Sequence, residues 1–341
     1  CVAPAVTVIS PFVRRFVERE TVRYRTLIAR NRITAATEMV SRANNGDPAD
    51  AVAKGAHRPV PAPLLVLFHG LEGSSQSHYA QAFADWAAEH DVQFALPHFR
   101  GCSGELNLAP RAYHSGDHEE IDWLLRRLRA QHQADGGHQM VAAGVSLGGN
   151  ALMRWAGEHG AQASRAVDAV ASICSPLDLT ASGMAIGRGF NRQVYTRMFL
   201  RTMKPKALAK LAQHPGLFDR RRLMAARDLY AFDNVFTAPL HGFRDTDDYW
   251  RRASAKPWMG EIALPALALN AANDPFVPAD SLPVPGAVSR HVTLWQPGHG
   301  GHVGFAQGML PGHVRGLPEA VGGWLLQAAG VTVNAQETPH G

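Results

Sequence analysis

The sequence predicts an α/β fold, a mostly parallel, doubly wound sheet with a helical insertion. Three observations carry this. Short apolar runs recur along the chain, each followed by a segment with helical periodicity. That alternation is the pattern of strands covered on both faces by helices. It is interrupted once, between about residues 177 and 258, by a long basic stretch with helical spacing and no buried-strand run.

The first clear strand is Leu64-Leu65-Val66-Leu67-Phe68, which ends in His69-Gly70-Leu71-Glu72-Gly73. Tyr79, Phe83, Trp86 and Ala87 then fall on one helical face. A second strand spans Val92–Leu96, and a polar loop from Arg100 to Gly116 leads to a helix with Ile121, Leu124, Leu125 and Leu128 on one side. Met140–Val145 is a third strand, running into Ser146-Leu147-Gly148-Gly149 and a helix through Trp155. Further strands are expected at Val167–Ile173, Ala266–Asn270 and His291–Trp295, with a closing helix over Leu317–Leu326. Upstream, Val22–Ile28 alternates like a strand and 44–48 is a turn cluster. The expected organisation is an N-terminal extension of unassigned role (1–60), a core (61–176 and 259–330), a helical cap insertion (177–258) and a flexible tail (331–341).

Composition narrows the function classes. The 341 residues are 46% hydrophobic and only 18% charged, which excludes a disordered chain and permits a large core. Net charge is +5 without a nucleic-acid-binding module, so no nucleic-acid partner is expected. That charge remains compatible with an anionic substrate or peripheral contact with an anionic surface. Three widely spaced cysteines make neither a disulfide framework nor a zinc site, so the expected compartment is the reducing cytoplasm. No run of about 18 apolar residues exists, so no membrane span is expected.

Gly144-Val145-Ser146-Leu147-Gly148 is a G-x-S-x-G motif between a strand and a helix, the context of a nucleophile elbow. A serine on such a turn is held at strained angles with its hydroxyl exposed, and flanking glycines let neighbouring backbone approach. The residue after the nucleophile, Leu147, and the loop after the first strand, at Leu71, are the expected backbone N–H donors to an oxyanion. The order nucleophile, acid, histidine then selects Asp274, in Asn273-Asp274-Pro275, and His302, in a glycine-rich loop after the last strand. Asp178 is the competing acid, and His299 and His69 are the competing histidines. His69 reads better as a loop-ordering hydrogen bonder. His299 and His302 lack a carboxylate or cysteine at ligand spacing, so no metal is expected.

These motifs together resemble one family. His69-Gly70-Leu71-Glu72-Gly73-Ser74-Ser75, Phe99-Arg100-Gly101-Cys102-Ser103-Gly104 and Tyr113-His114-Ser115-Gly116 are similar to the YheT-like branch of the α/β-hydrolases. Ser146-Leu147-Gly148-Gly149-Asn150, Thr237-Ala238-Pro239, His241-Gly242-Phe243, Asn273-Asp274-Pro275-Phe276 and Gly300-Gly301-His302-Val303-Gly304-Phe305 extend the match across about residues 64–326. The resemblance implies an α/β-hydrolase fold with Ser146 as nucleophile, Asp274 as acid and His302 as base. The branch holds bacterial esterases and eukaryotic membrane-associated acylglycerol and phospholipid hydrolases. The first 60 residues depart from its pattern.

The expected function is hydrolysis of a small-molecule carboxylic ester through an acyl-enzyme, without a cofactor. A thioesterase, lipase or acyltransferase on the same triad stays open, as does a non-catalytic binding protein of the same fold. Arg100, Cys102, Tyr113 and His114 are expected either to touch substrate or to order their loop. Phe190, Tyr195 and Phe199 are expected either to face the site as a lid or to pack.

Overall fold

The computed structural model describes residues 40–43, 62–305 and 314–331. The strand expected at Val22–Ile28, the turn at 44–48 and the tail from 332 lie outside these residues.

Among the described residues seven strands form one sheet in the order β1-β3-β2-β4-β5-β6-β7. They are β1 (Val40–Ala43), β2 (Leu64–Phe68), β3 (Gln93–Pro97), β4 (Met140–Val145), β5 (Ala169–Ile173), β6 (Ala266–Leu269) and β7 (Val292–Trp295). β2 to β7 are all parallel, and β1 pairs antiparallel with β3 at one edge.

The alternation of β2 explains the two layers of helices. Leu65 and Leu67 point to the face covered by α1 (His78–Glu89) and the C-terminal helix (Gly316–Ala328), among Phe83, Trp86 and Val321. Leu64, Val66 and Phe68 point to the other face, under α2 (His118–Ala134) and α3 (Leu147–His159), among Ile121, Leu124 and Trp155. All five side chains of β2 are buried. Burial of each contributes about 1.5–3 kcal/mol.

Strands β2 to β7 match the sequence expectation to within two residues, whereas β1 is not expected from the sequence. β5 starts at Ala169, two residues late. Asp168 turns its carboxylate to the Met140 N–H (2.7 Å) and to Arg129 (3.0 Å), so it caps the strand without being part of it. β7 is an edge strand with Thr293 and Trp295 exposed, in contrast with the buried central strands.

Between β5 and β6 the chain is helical. It forms α4 (Leu179–Ile186), α5 (Arg197–Gln213), α6 (Arg220–Ala225), α7 (Leu229–Val235), α8 (Thr237–Leu240) and α9 (Thr246–Ala253). A π-helical turn at Arg192–Thr196 leads into α5. Such turns are frequent near functional sites. The C-terminal helix is α10.

The topology fixes where a site belongs. From β2 the chain steps to β3 on one side, then crosses back to β4 on the other. A crevice opens at the C-terminal ends of strands where such a reversal occurs. The loops that follow β2 and β4 carry Leu71 and Ser146.

Candidate active site

Ser146 sits between β4 and α3 with φ 51° and ψ −118°. An L-residue rarely adopts this conformation, and it is held only because the surroundings over-determine it. Here the Ser146 N–H donates to the Ile173 carbonyl (2.8 Å), and the Ser146 carbonyl accepts from Gly149 and Asn150. The glycines are steric requirements. A Cβ on Gly148 would lie 2.5 Å from the His69 carbonyl oxygen, and one on Gly149 would lie 1.9 Å from Ser175 Oγ. The turn is thus packed against β2 and the end of β5 at once.

His302 Nε2 lies 3.1 Å from Ser146 Oγ, and His302 Nδ1 lies 2.9 Å from Asp274 Oδ2. The Asp274 side chain is shut off from solvent, and its other oxygen accepts the Phe276 N–H at 2.8 Å. A carboxylate bonded to Nδ1–H leaves Nε2 bare toward the serine hydroxyl, which is the tautomer a base needs. The Phe276 ring packs 4.4 Å from the imidazole and Tyr195 packs 4.5 Å from Phe276, centroid to centroid, so the histidine has an aromatic wall.

The loop carrying His302 is anchored by residues that periodicity does not reveal. Gly301 N–H donates to Asn273 Oδ1 (2.9 Å). Cys174, buried at the end of β5, accepts the Val303 N–H at 3.3 Å and donates its thiol to the Gly301 carbonyl at 3.5 Å. One sulfur therefore holds both neighbours of His302. Burial, reinforced by the Asp274 charge, pushes the Cys174 thiol up, so it keeps the proton it donates. Val303 and Phe305 both have positive φ, so the loop is strained and depends on these anchors. In the sequence, Cys174 offered only its position directly after a core strand as a signal.

The loop after β2 has a similar logic. Gly70 N–H donates to Tyr79 Oη (2.9 Å), Glu72 N–H to Tyr113 Oη (2.9 Å) and Gly73 N–H to the Gly70 carbonyl (3.0 Å). Tyr113 returns its own hydroxyl proton to Glu72 Oε1 at 2.9 Å. The Leu71 N–H, between these committed donors, makes no hydrogen bond among the described residues, and neither does the Leu147 N–H at the start of α3. Gly70 brings the loop to the serine, since a Cβ there would sit 3.3 Å from Ser146 Cβ.

The competing residues lie elsewhere. His69 accepts the Phe99 N–H on Nε2 (3.1 Å) and donates from Nδ1 to the Gly70 carbonyl (2.8 Å). Burial holds its pKa down at about 3, so it stays neutral. Asp178 caps α4 by accepting the Ala181 N–H. His299 is exposed. Among the described residues no group of three or more His, Cys, Asp or Glu could hold a metal ion.

A family model described as the alpha/beta hydrolase fold matches residues 63–308. The chain belongs to the α/β-hydrolase family. It falls in the YheT-like branch, being 39% identical over 266 residues to the protein named "Putative esterase YheT" of Escherichia coli, with 77% of this chain and 76% of that protein covered. It is 29% identical over 254 residues to Phospholipase ABHD3 of Mus musculus, covering 73% of this chain and 60% of that one. To a Monoacylglycerol lipase of Saccharomyces cerevisiae it is 28% identical over 252 residues, covering 71% and 55%. The chain therefore spans under two thirds of these two eukaryotic relatives.

Within this hydrolase a cavity of about 150 Å³ adjoins Ser146, Leu71 and Leu147. Space of about that size accepts a benzene-sized apolar group. Its walls come from the loop at 100–115 and from the helices between β5 and β6, and they are largely apolar, with Leu179, Ile186, Phe199, Phe232 and Phe276 among them. Phe199 thus faces the cavity, Tyr195 buttresses Phe276, and Phe190 is exposed. In the preceding loop Arg100 pairs with the buried Glu120 (2.9 Å), while Tyr113 and His114 also line the cavity. Among the described residues no helix is long and apolar enough to cross a membrane.

Proposed function

We propose that this protein is a serine hydrolase that cleaves carboxylic esters of small-molecule substrates through an acyl-enzyme. The observation that carries the reading is the continuous chain Ser146 Oγ–His302–Asp274, at 3.1 and 2.9 Å, with its carboxylate excluded from water. The names of the relatives, an esterase, a phospholipase and a lipase, favour an acyl bond as the target.

In this mechanism His302 Nε2 takes the Ser146 proton as Oγ attacks the acyl carbonyl. Asp274 holds the imidazole through Nδ1 and stabilises its charged form. The Leu71 and Leu147 N–H groups bind the oxyanion, aided by the N-terminal end of α3. His302 then gives its proton to the departing alcohol, and water, deprotonated by His302 in turn, releases the acid. The sequence of steps uses no cofactor. Residues 61–176 and 259–330 act as the core, and 177–258 acts as a cap that shapes the acyl cavity.

Labelling with a fluorophosphonate probe, followed by mass mapping, tests this directly. The expected result is modification at Ser146 that is absent in Ser146→Ala, together with ester turnover that disappears in the same variant. Folded wild-type protein that neither labels nor turns over esters would overturn the proposal in favour of a binding role.

A further inference from the structure

The cavity beside Ser146 is apolar except at a few places, and one of them has no part in the mechanism above. Ser182, on α4, lines the cavity and is 1% exposed, and its hydroxyl has no hydrogen-bond partner among the described residues. Asp233, on α7, lines the same cavity and is also buried. Its Oδ1 accepts from Thr237 Oγ1 at 2.6 Å and its Oδ2 from Trp250 Nε1 at 2.9 Å. A carboxylate has about four acceptor directions, so two donors leave it half-satisfied. No ion pair with Asp233 is formed among the described residues.

The indole of Trp250 brings these two groups into one neighbourhood. Its Nε1 is bonded to Asp233, while its six-membered ring lies against the backbone next to Ser182. A Cβ on Gly183 would come within 2.4 Å of that ring. Leaving a buried hydroxyl unpaired and a buried carboxylate half-paired costs folding free energy, so a protein keeps such groups where a ligand completes them. The completing group must donate to the carboxylate and also pair with a hydroxyl. A neutral hydroxyl suits both, since it donates to a carboxylate and can donate to or accept from another hydroxyl. A cation suits the site less well, because an ammonium has no acceptor for the Ser182 O–H and leaves that proton unpaired.

We propose that Ser182 and Asp233 form a subsite for a hydroxyl group that the substrate carries away from its scissile ester. This rests on the hydrolase reading and narrows it to hydroxylated esters. The hydroxyl belongs either to the acyl chain or to the alcohol portion, and the two sources are separable by experiment. The size of the cavity points to chains of about six carbons.

Two matched series provide the test. In the first, p-nitrophenyl hexanoates carry a hydroxyl at successive carbons of the acyl chain. In the second, hexanoates of butanol are compared with those of the butanediols. Dissociation constants are measured by calorimetry on Ser146→Ala, which needs no turnover, and kcat/KM on the wild type. The expected result is a gain of about tenfold or more for one hydroxyl position over the plain ester, since a site built for a hydroxyl discriminates strongly against its absence. The ratio of hydroxylated to plain ester should fall to about one in Ser182→Ala and shrink in Asp233→Asn. A flat profile in both series, with plain esters turned over normally, overturns the subsite and leaves the hydrolase reading intact. A hydroxyl preference in binding without wild-type turnover does the reverse. An amine at the favoured position that outperforms the hydroxyl also overturns it, in favour of a cation site.

Discussion

Replacing Cys174 by alanine removes the acceptor of the Val303 N–H and the donor to the Gly301 carbonyl, with no change to Ser146, His302 or Asp274. A buried N–H left without an acceptor costs about 1–3 kcal/mol, and the lower half of that range suits a bond to sulfur. The loop carries two non-glycine residues at positive φ, so it can recover that energy by relaxing away from its strained path. If 1–2 kcal/mol of the energy holding His302 in place is lost, the productive arrangement becomes rarer by about 5- to 30-fold, at 1.4 kcal/mol per tenfold. The fall should appear in kcat more than in KM, because the cavity walls are untouched. The fluorophosphonate reaction rate should fall in parallel. Cys174→Ser, which keeps a donor and an acceptor on a shorter bond, should recover part of the loss. Wild-type kcat in a folded Cys174→Ala protein would refute the reasoning. So would a loss of stability without a loss of kcat.

Two further outcomes follow from strain and burial. Ser146→Gly should be more stable than Ser146→Ala by about 1 kcal/mol in denaturant titration, because only glycine adopts φ 51°, ψ −118° without strain; equal stabilities would mean the turn is unstrained. His69 should make the protein acid-sensitive. Its folded pKa of about 3 lies below the unfolded value of 6.5, so the unfolded state alone takes up a proton as pH falls through 6.5 toward 3. Stability should therefore drop by up to about 1.4 kcal/mol per pH unit from this residue, and the slope between pH 6 and 4 should be shallower by that amount in His69→Asn. An unchanged slope would count against a neutral, buried imidazole.

The central strands of the sheet were legible because they are buried on both faces, which leaves unbroken apolar runs such as Leu64–Phe68 with clear ends. Ser146, Asp274 and His302, which the structure brings within hydrogen-bond reach of one another, could be picked out because chain order and glycine content constrain them locally. What could not be read depends on contacts between distant parts of the chain. Cys174 meets a loop 127 to 129 residues away, and Tyr113 clasps Glu72 across 41. Neither leaves a periodic trace. That Ser182 and Asp233 line one cavity is harder still to see, since they sit on separate helices and Ser182 looks like any other serine on a short helix.

The donors proposed at Leu71 and Leu147 belong to the backbone, and both residues line the cavity. On the proposed mechanism these two tasks are separable. The dipoles that polarise the carbonyl come with the chain itself and survive any substitution except proline, which has no N–H. The side chains attached to them can vary in bulk within the limits of the core packing they join. Exchanging leucine for a smaller or larger apolar residue at either position therefore reshapes the space offered to the acyl group while the polarising apparatus stays in place. Substrate range in this scaffold can drift by such exchanges without first passing through an inactive enzyme.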